Sequence, residues 1–167
     1  MKENKGKNRI IRLATEKDKE KILALYKAQI GKPFCVWSEH YPTIKEIDFD
    51  LSREALFVMV KEDTLVATIS LDDDPFVKNL PCWTKSLQPG GEISRIAVAD
   101  EYKNQGIARQ MIAYAMDVLK ERDFVSCHYL VCKENLAALK SYEPLAFTKV
   151  GECKLDGHPY WCYEKVL

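Results

Sequence analysis

Net charge is the first thing this chain lacks: 25 lysines and arginines balance 25 aspartates and glutamates over 167 residues. A surface with no net field does not hold a polyanion or an anionic bilayer, so neither nucleic acid nor a membrane surface is an expected partner. No apolar run reaches the length of a membrane helix. The amino-terminal stretch carries Lys2, Lys5, Lys7 and Arg9, but no apolar segment follows to make a signal-peptide core; residues 1–8 read as a short solvated tail. The expectation is a soluble, cytoplasmic protein. Also missing is any Cys-x-x-Cys pair among the six cysteines, Cys35, Cys82, Cys127, Cys132, Cys153 and Cys162. Without paired thiolates a zinc site is not expected, and in a chain of this size without a signal peptide the cysteines read as free thiols. Cys127 and Cys132 fall in one strand-like run at odd separation, which puts them on opposite faces. Finally, neither Gly-x-x-x-x-Gly-Lys-(Ser/Thr) nor Gly-x-Gly-x-x-Gly occurs, which disfavours a mononucleotide P-loop and a dinucleotide fold.

What is present is concentrated between Gly90 and Phe124. Glu92 to Val98 alternates polar and apolar residues and is rich in β-branched types, the pattern of a strand whose even positions, Glu92, Ser94, Ile96 and Val98, share a face. Ile107, Met111, Ala115 and Val118, flanked by Ala108, Ile112 and Leu119, recur at helical spacing and predict an amphipathic helix starting near Gln105. The turn between them contains Gly106, without a side chain, and Ala108, with only a methyl. Free N–H groups at the start of a helix, approached through small residues, favour an anion such as a phosphate or diphosphate. A glycine at a helix start is also ordinary punctuation, and the turn alone does not decide between the two.

The rest of the chain, residues 9–167, reads as a single domain able to bury roughly two-thirds of its unfolded surface. A strand at Arg9–Leu13 leads through a cap at Thr15 or Asp18 into a helix carrying Ile22, Leu23, Leu25, Tyr26 and Ile30, ended by Gly31 and Pro33. An aromatic segment follows, Phe34 to Tyr41, which either tucks into the core or lines a pocket. His40 within it has no nucleophile assigned to it and reads as structural or solvent-facing. Thr43 and Glu46 have capping-box spacing for a helix to Leu51. Ala55–Lys61 and Thr64–Leu71 form a hairpin, and Asp72-Asp73-Asp74-Pro75 opens an irregular insert to Pro89. The acidic triplet is a solvated turn or an attractor for a cationic ligand. Ser126–Cys132 is a strand, Glu134–Tyr142 a helix stopped by Pro144, and Phe147–Cys153 with Tyr160–Val166 a closing hairpin.

Two stretches carry a resemblance. Lys103-Asn104-Gln105-Gly106-Ile107-Ala108 resembles the diphosphate motif (Arg/Gln)-x-x-Gly-x-(Gly/Ala) of the GNAT family of N-acetyltransferases, with Lys103 in place of Arg or Gln. Asn135-x-x-Ala138-x-x-x-Tyr142-x-x-x-Ala146-Phe147 resembles that family's second hallmark, with Ala146 in place of Gly. If the chain is left-handed there, alanine costs on the order of 1 kcal/mol, unless Pro144 has changed the turn. The resemblance spans nearly the whole chain. It implies an α/β (α+β) fold, a mixed but mostly antiparallel twisted sheet of six to seven strands with about four helices and splayed fourth and fifth strands.

The resemblance also implies a chemistry: acetyl transfer from acetyl-CoA directly to a primary amine of a small molecule or peptide, without a metal and without a covalent enzyme intermediate. Presenting an alkyl amine of pKa about 10.4 as free base at neutral pH costs about 4 to 5 kcal/mol, so a base or desolvation is required, while the departing thiolate benefits from a proton. By resemblance, Glu92 is the base and Tyr142 the acid. The diphosphate falls on Lys103, Asn104, Gln105, Gly106, Ile107 and Ala108, the pantetheine arm pairs with the backbone of Ile96, Ala97 and Val98, and Asn135 is a further contact. The acceptor falls between Phe34, Trp37 and Tyr41 on one side and His158 on the other. A homodimer is compatible with this fold, as is a catalytically silent acetyl-CoA-binding sensor or interaction module.

Overall fold

The computed structural model describes residues 8–167, so all but Asn8 of the tail expected over residues 1–8 lies outside the described residues. In chain order the elements are β1 (Arg9–Leu13), α1 (Lys19–Gln29), α2 (Ile44–Ser52), β2 (Leu56–Lys61), β3 (Thr64–Asp72), α3 (Pro75–Lys78), β4 (Gly90–Val98), α4 (Ile107–Glu121), β5 (Ser126–Cys132), α5 (Leu136–Tyr142), β6 (Thr148–Leu155) and β7 (His158–Val166). The strands form one seven-stranded sheet in the order β1-β2-β3-β4-β5-β7-β6, antiparallel except where β4 meets β5. This is the mixed, mostly antiparallel sheet the resemblance implied, with one helix more than the four expected. The addition is α3, inside the insert read as irregular. Pro75 opens it, and the Asp74 carboxylate accepts the Phe76 N–H at 2.9 Å.

Two apolar layers sandwich the sheet. On one face α4 buries Ile107, Met111, Ile112, Ala115 and Leu119 against Phe57, Met59, Ile93 and Tyr129. Each of the four larger helix side chains contributes about 1.5 to 3 kcal/mol relative to exposure. On the other face α1 and α2 bury Ile22, Tyr26 and Ile47 against Leu56, Val58 and Ala97. Consecutive residues of β2 thus alternate between two cores, which is why that strand is apolar without interruption. The capping box read at α2 is present: Glu46 Oε2 accepts from the Thr43 N–H at 2.7 Å, and Thr43 Oγ1 accepts from the Lys45 N–H at 3.2 Å. No helix among the described residues is long and apolar enough to cross a membrane.

The expectation that Glu92, Ser94, Ile96 and Val98 share a face is corrected by a β-bulge. Ser70 pairs with Ser94 but Thr68 pairs with Ala97, so Arg95 and Ile96 together oppose Ile69. Arg95 takes up the extra residue with φ +46°. Beyond the bulge the alternation is inverted: Ile96 and Val98 join Ile93 against the α4 core, whereas Ala97 packs with the α1 and α2 core. Strict alternation has no signature for this extra residue.

Candidate active site

β4 and β5 pair only through Gly90–Ser126, Gly91–Cys127 and Glu92–His128; beyond Glu92 they diverge. The opening is a channel of about 370 Å³ between Ile93–Ile96 on one strand and Tyr129–Cys132 on the other, roofed by Phe34, Val36 and Trp37 and flanked by Asn135 and Tyr142. At one end it meets a cleft of about 620 Å³ lined by Ile96, Ala97, Val98, Lys103, Asn104, Gly106, Ile107, Ala108 and Arg109, with Ile96, Lys103 and Tyr142 common to both. At the other end it meets a cavity of about 600 Å³ lined by Trp37, Tyr41, Asp72, Asp74, Glu92, Arg95, Asp156, His158 and Tyr160. A passage therefore crosses the sheet where its two central strands part.

The cleft is suited to an anion. Gly106 precedes α4 with φ +74° and ψ +15°, a left-handed conformation that glycine adopts without strain. The Lys103 N–H is taken by Asp100 O at 3.3 Å, and Gln110 is the residue that donates back to Gly106 O, at 3.1 Å. The amides between them stand at the positive end of a 15-residue helix, where N–H groups have no intrahelical acceptor. A Cβ on Gly106 would lie 3.0 Å from Arg109 Nη2, so this guanidinium overlooks the turn while its Nη1 donates to Ser141 O at 3.2 Å. The apolar spacing of this helix does not single out Arg109. Lys103, by contrast, turns aside: its Nζ donates to Gln29 Oε1 at 3.1 Å and lies 3.0 Å from Asp100. Gln105 accepts from Arg9 at 2.8 Å and borders none of these three cavities. These residues fit a diphosphate, through backbone amides and Arg109 more than through the Lys103 side chain.

Tyr142 ends α5 at the junction of channel and cleft, edge-on to Tyr129 with ring centroids 5.6 Å apart. Loss of solvent pushes its phenol up to about 12, so the proton is retained at neutral pH. Asn135 borders the channel, but its Oδ1 is occupied capping α5, accepting from the Ala138 N–H at 3.0 Å. Ala146 lies at φ +56° and ψ +39°, so the substitution for glycine leaves the left-handed turn in place and the strain is accepted.

Glu92 sits in the wall of the cavity that holds His158, at 8% exposure, and its Oε1 has no hydrogen-bond partner. Burial, then the nearby charges of Asp72 and Asp74, raise its pKa well above the ordinary carboxylate value. Beside it lies a charge network that sequence reading missed. The Arg95 guanidinium donates to both carboxylate oxygens of Asp50, at 3.0 and 2.9 Å, to Asp72 Oδ2 at 2.7 Å and to Tyr41 Oη at 3.0 Å. Ser70 Oγ and Arg53 complete the shell of Asp50, at 2.6 and 2.8 Å. Asp72 is thus a strand residue in a buried ion pair, and its pKa stays below the ordinary value despite burial because of Arg95. Trp37 is held edge-on to Tyr26 at 5.3 Å, and His40 is exposed. Phe34, at φ +69° and 45% exposure, borders the channel and not the cavity lined by Trp37, Tyr41 and His158, where the acceptor was expected.

The model of the acetyltransferase (GNAT) family matches residues 22–147. The chain belongs to this family. N-alpha-acetyltransferase 30 of Schizosaccharomyces pombe is 31% identical over 85 residues, a match that takes in 48% of this chain and 56% of that relative's length. Among solved structures, the ribosomal-protein-alanine N-acetyltransferase from Brucella melitensis has a TM-score of 0.74 at 20% identity, covering 95% of this chain and 99% of that one. The NatC complex bound to Gag peptide and CoA contains a chain with a TM-score of 0.73 at 18% identity, covering 96% and 99%. At these identities the structural likeness is one of GNAT fold.

Proposed function

We propose that residues 9–167 form one acetyltransferase domain that moves the acetyl group of acetyl-CoA directly to a primary amine of a small molecule or peptide. The observation that carries this reading is the passage itself: an anion-binding cleft and an acidic cavity opening onto opposite ends of the β4–β5 split, with Tyr142 near one end and Glu92 at the other.

Acetyl-CoA supplies an activated thioester when bound, and the chain supplies the rest. The amides from Asn104 to Ala108, with Arg109, hold the diphosphate. The edge of β4 beyond Glu92, unpaired toward β5, offers backbone groups to an extended arm as an added strand would. Asp74 and Asp156 draw an ammonium into the acceptor cavity, and Glu92 takes its proton on Oε1, the oxygen without a partner. A carboxylate with a raised pKa is a stronger base than an ordinary one, which is what a proton from an amine requires. Tyr142, neutral at working pH, donates its hydroxyl proton to the departing sulfur. The NatC neighbour, bound to Gag peptide and CoA, supports a peptide acceptor; the acidic lining supports a cationic one. The test is turnover of acetyl-CoA against a panel of polyamines, amino sugars, amino acids and peptides, with acetylated products identified by mass spectrometry. Acetyl-CoA binding without turnover of any amine would instead establish a silent binding module.

A further inference from the structure

β5 leads into α5 through Lys133, Glu134 and Asn135, and the β6–β7 hairpin returns beside that turn. The Lys133 N–H donates to Pro159 O at 2.9 Å, and Cys132 is the register partner of Tyr160, so the end of β5 and the start of β7 are fixed side by side. This juxtaposition gathers three side chains. The Cys132 sulfur, one carboxylate oxygen of Glu134 and one imidazole nitrogen of His158 all lie within 4.8 Å of one another. Lys133, the nearest cation in sequence, is committed to Glu152 and lies 3.9 Å over the Trp161 ring, leaving Glu134 its charge.

We propose that Cys132, Glu134 and His158 form a binding site for a divalent cation of the zinc class, between the channel and the acceptor cavity. One thiolate, one imidazole and one carboxylate are the ligand types zinc accepts, and a three-ligand site leaves its fourth position open. Tetrahedral zinc places such donor atoms about 3.3 to 3.6 Å apart, given its ordinary bond lengths. Cys132 is buried and fixed by its strand, whereas Glu134 is exposed on a turn and His158 is half-buried at the start of β7, so these two side chains have the freedom to close on it. The same three residues also have the composition of a nucleophilic triad. A triad, however, strings its imidazole between thiol and carboxylate through two different ring nitrogens, whereas here one and the same nitrogen lies within 4.8 Å of both partners. Convergence on a point is what a cation requires. Cys132 and Tyr160 border the channel while His158 and Tyr160 border the acceptor cavity, so a bound cation stands where the two meet and ties the hairpin to β5.

The test is optical and independent of acetyl transfer. The chelator-treated full-length protein is titrated with Co²⁺, which reports thiolate ligation by a near-ultraviolet charge-transfer band. The expected result is a band that saturates at one equivalent, is abolished by added Zn²⁺ and is accompanied by a higher melting temperature. Cys132→Ser should remove the band, and His158→Gln, in the hairpin, should weaken Co²⁺ binding at least tenfold while its metal-free melting curve matches the wild type. No charge-transfer band in the wild type, or a band of undiminished strength in Cys132→Ser arising from the other thiols, overturns the site.

Discussion

Asp72 and Glu92 are register partners across β3 and β4, yet their protons are held in opposite ways. Arg95 keeps Asp72 ionised, and burial together with the charges of Asp72 and Asp74 makes Glu92 reluctant to ionise. If Glu92 accepts the amine proton, the acid limb of kcat/KM reports its ionisation. Asp74→Asn removes one of the two like charges and preserves the cap on Phe76, because asparagine caps as well as aspartate. The acid limb should then move to lower pH. Glu92→Gln should lower the rate about 10²- to 10⁴-fold at neutral pH and recover part of it at high pH, where the amine is already deprotonated. An acid limb unmoved in Asp74→Asn, with a Glu92→Gln profile parallel to the wild type, removes Glu92 from the proton's path.

The cofactor cleft makes a separate prediction. Gly106→Val puts a β-branched residue at φ +74° on the turn that presents the amides, so acetyl-CoA affinity measured by calorimetry should fall at least tenfold. Arg109→Ala should weaken binding as well, and the wild-type protein should lose more affinity than this variant as salt is raised. Unchanged affinity in Gly106→Val would place the diphosphate elsewhere.

How far the site could be read in advance depended on whether it is made of local patterns. The Gly106 turn, the α2 capping box, the two hairpins and the order of strands and helices are short-range arrangements, and the residues that make them are neighbours in sequence. The Arg95 network is not. Asp50, Asp72 and Arg95 come from a helix and two strands, and Arg95 reaches the carboxylates only because a bulge turns it onto the α2 face. A bulge is a single additional residue within an alternating run, which period-two reading absorbs without notice. Arg109 was not singled out for a related reason: helical spacing separates apolar from polar sectors, but which polar residue overlooks the glycine turn is set by the approach of α5.

Ala146 offers a prediction about stability alone. It holds φ +56° where the family motif has glycine, and nothing about this turn requires a methyl, since the residue is exposed. Ala146→Gly relieves left-handed strain and gives back part of that gain as freedom of the unfolded chain. The net should be a stabilisation of about 0.5 to 1 kcal/mol, read as a rise of about 2 °C in Tm. A lower Tm would mean that the turn carries no strain.

His128 contributes to the acid side of stability. Its ring packs on Trp83 with centroids 4.4 Å apart, neither nitrogen has a hydrogen-bond partner, and burial lowers its pKa from 6.5 to about 4, opposed only in part by Glu164. Between those values the unfolded chain binds the proton and the folded one does not, so the stabilisation is complete above pH 6.5 and is lost as pH falls toward 4. The loss is on the order of 3 kcal/mol for a shift of this size. Glu92, across the β4–β5 pairing, acts with the opposite sign: its raised pKa favours the folded state at low pH, and that contribution fades as pH rises. The wild-type curve contains both, and His128→Gln separates them. Urea unfolding from pH 7 to 4 should show wild-type stability falling relative to the variant by about 3 kcal/mol, whatever the offset between the two at pH 7. A constant difference across that range would mean that His128 is protonated in the folded protein as readily as in the unfolded chain, and that its place beside Trp83 imposes no charge penalty.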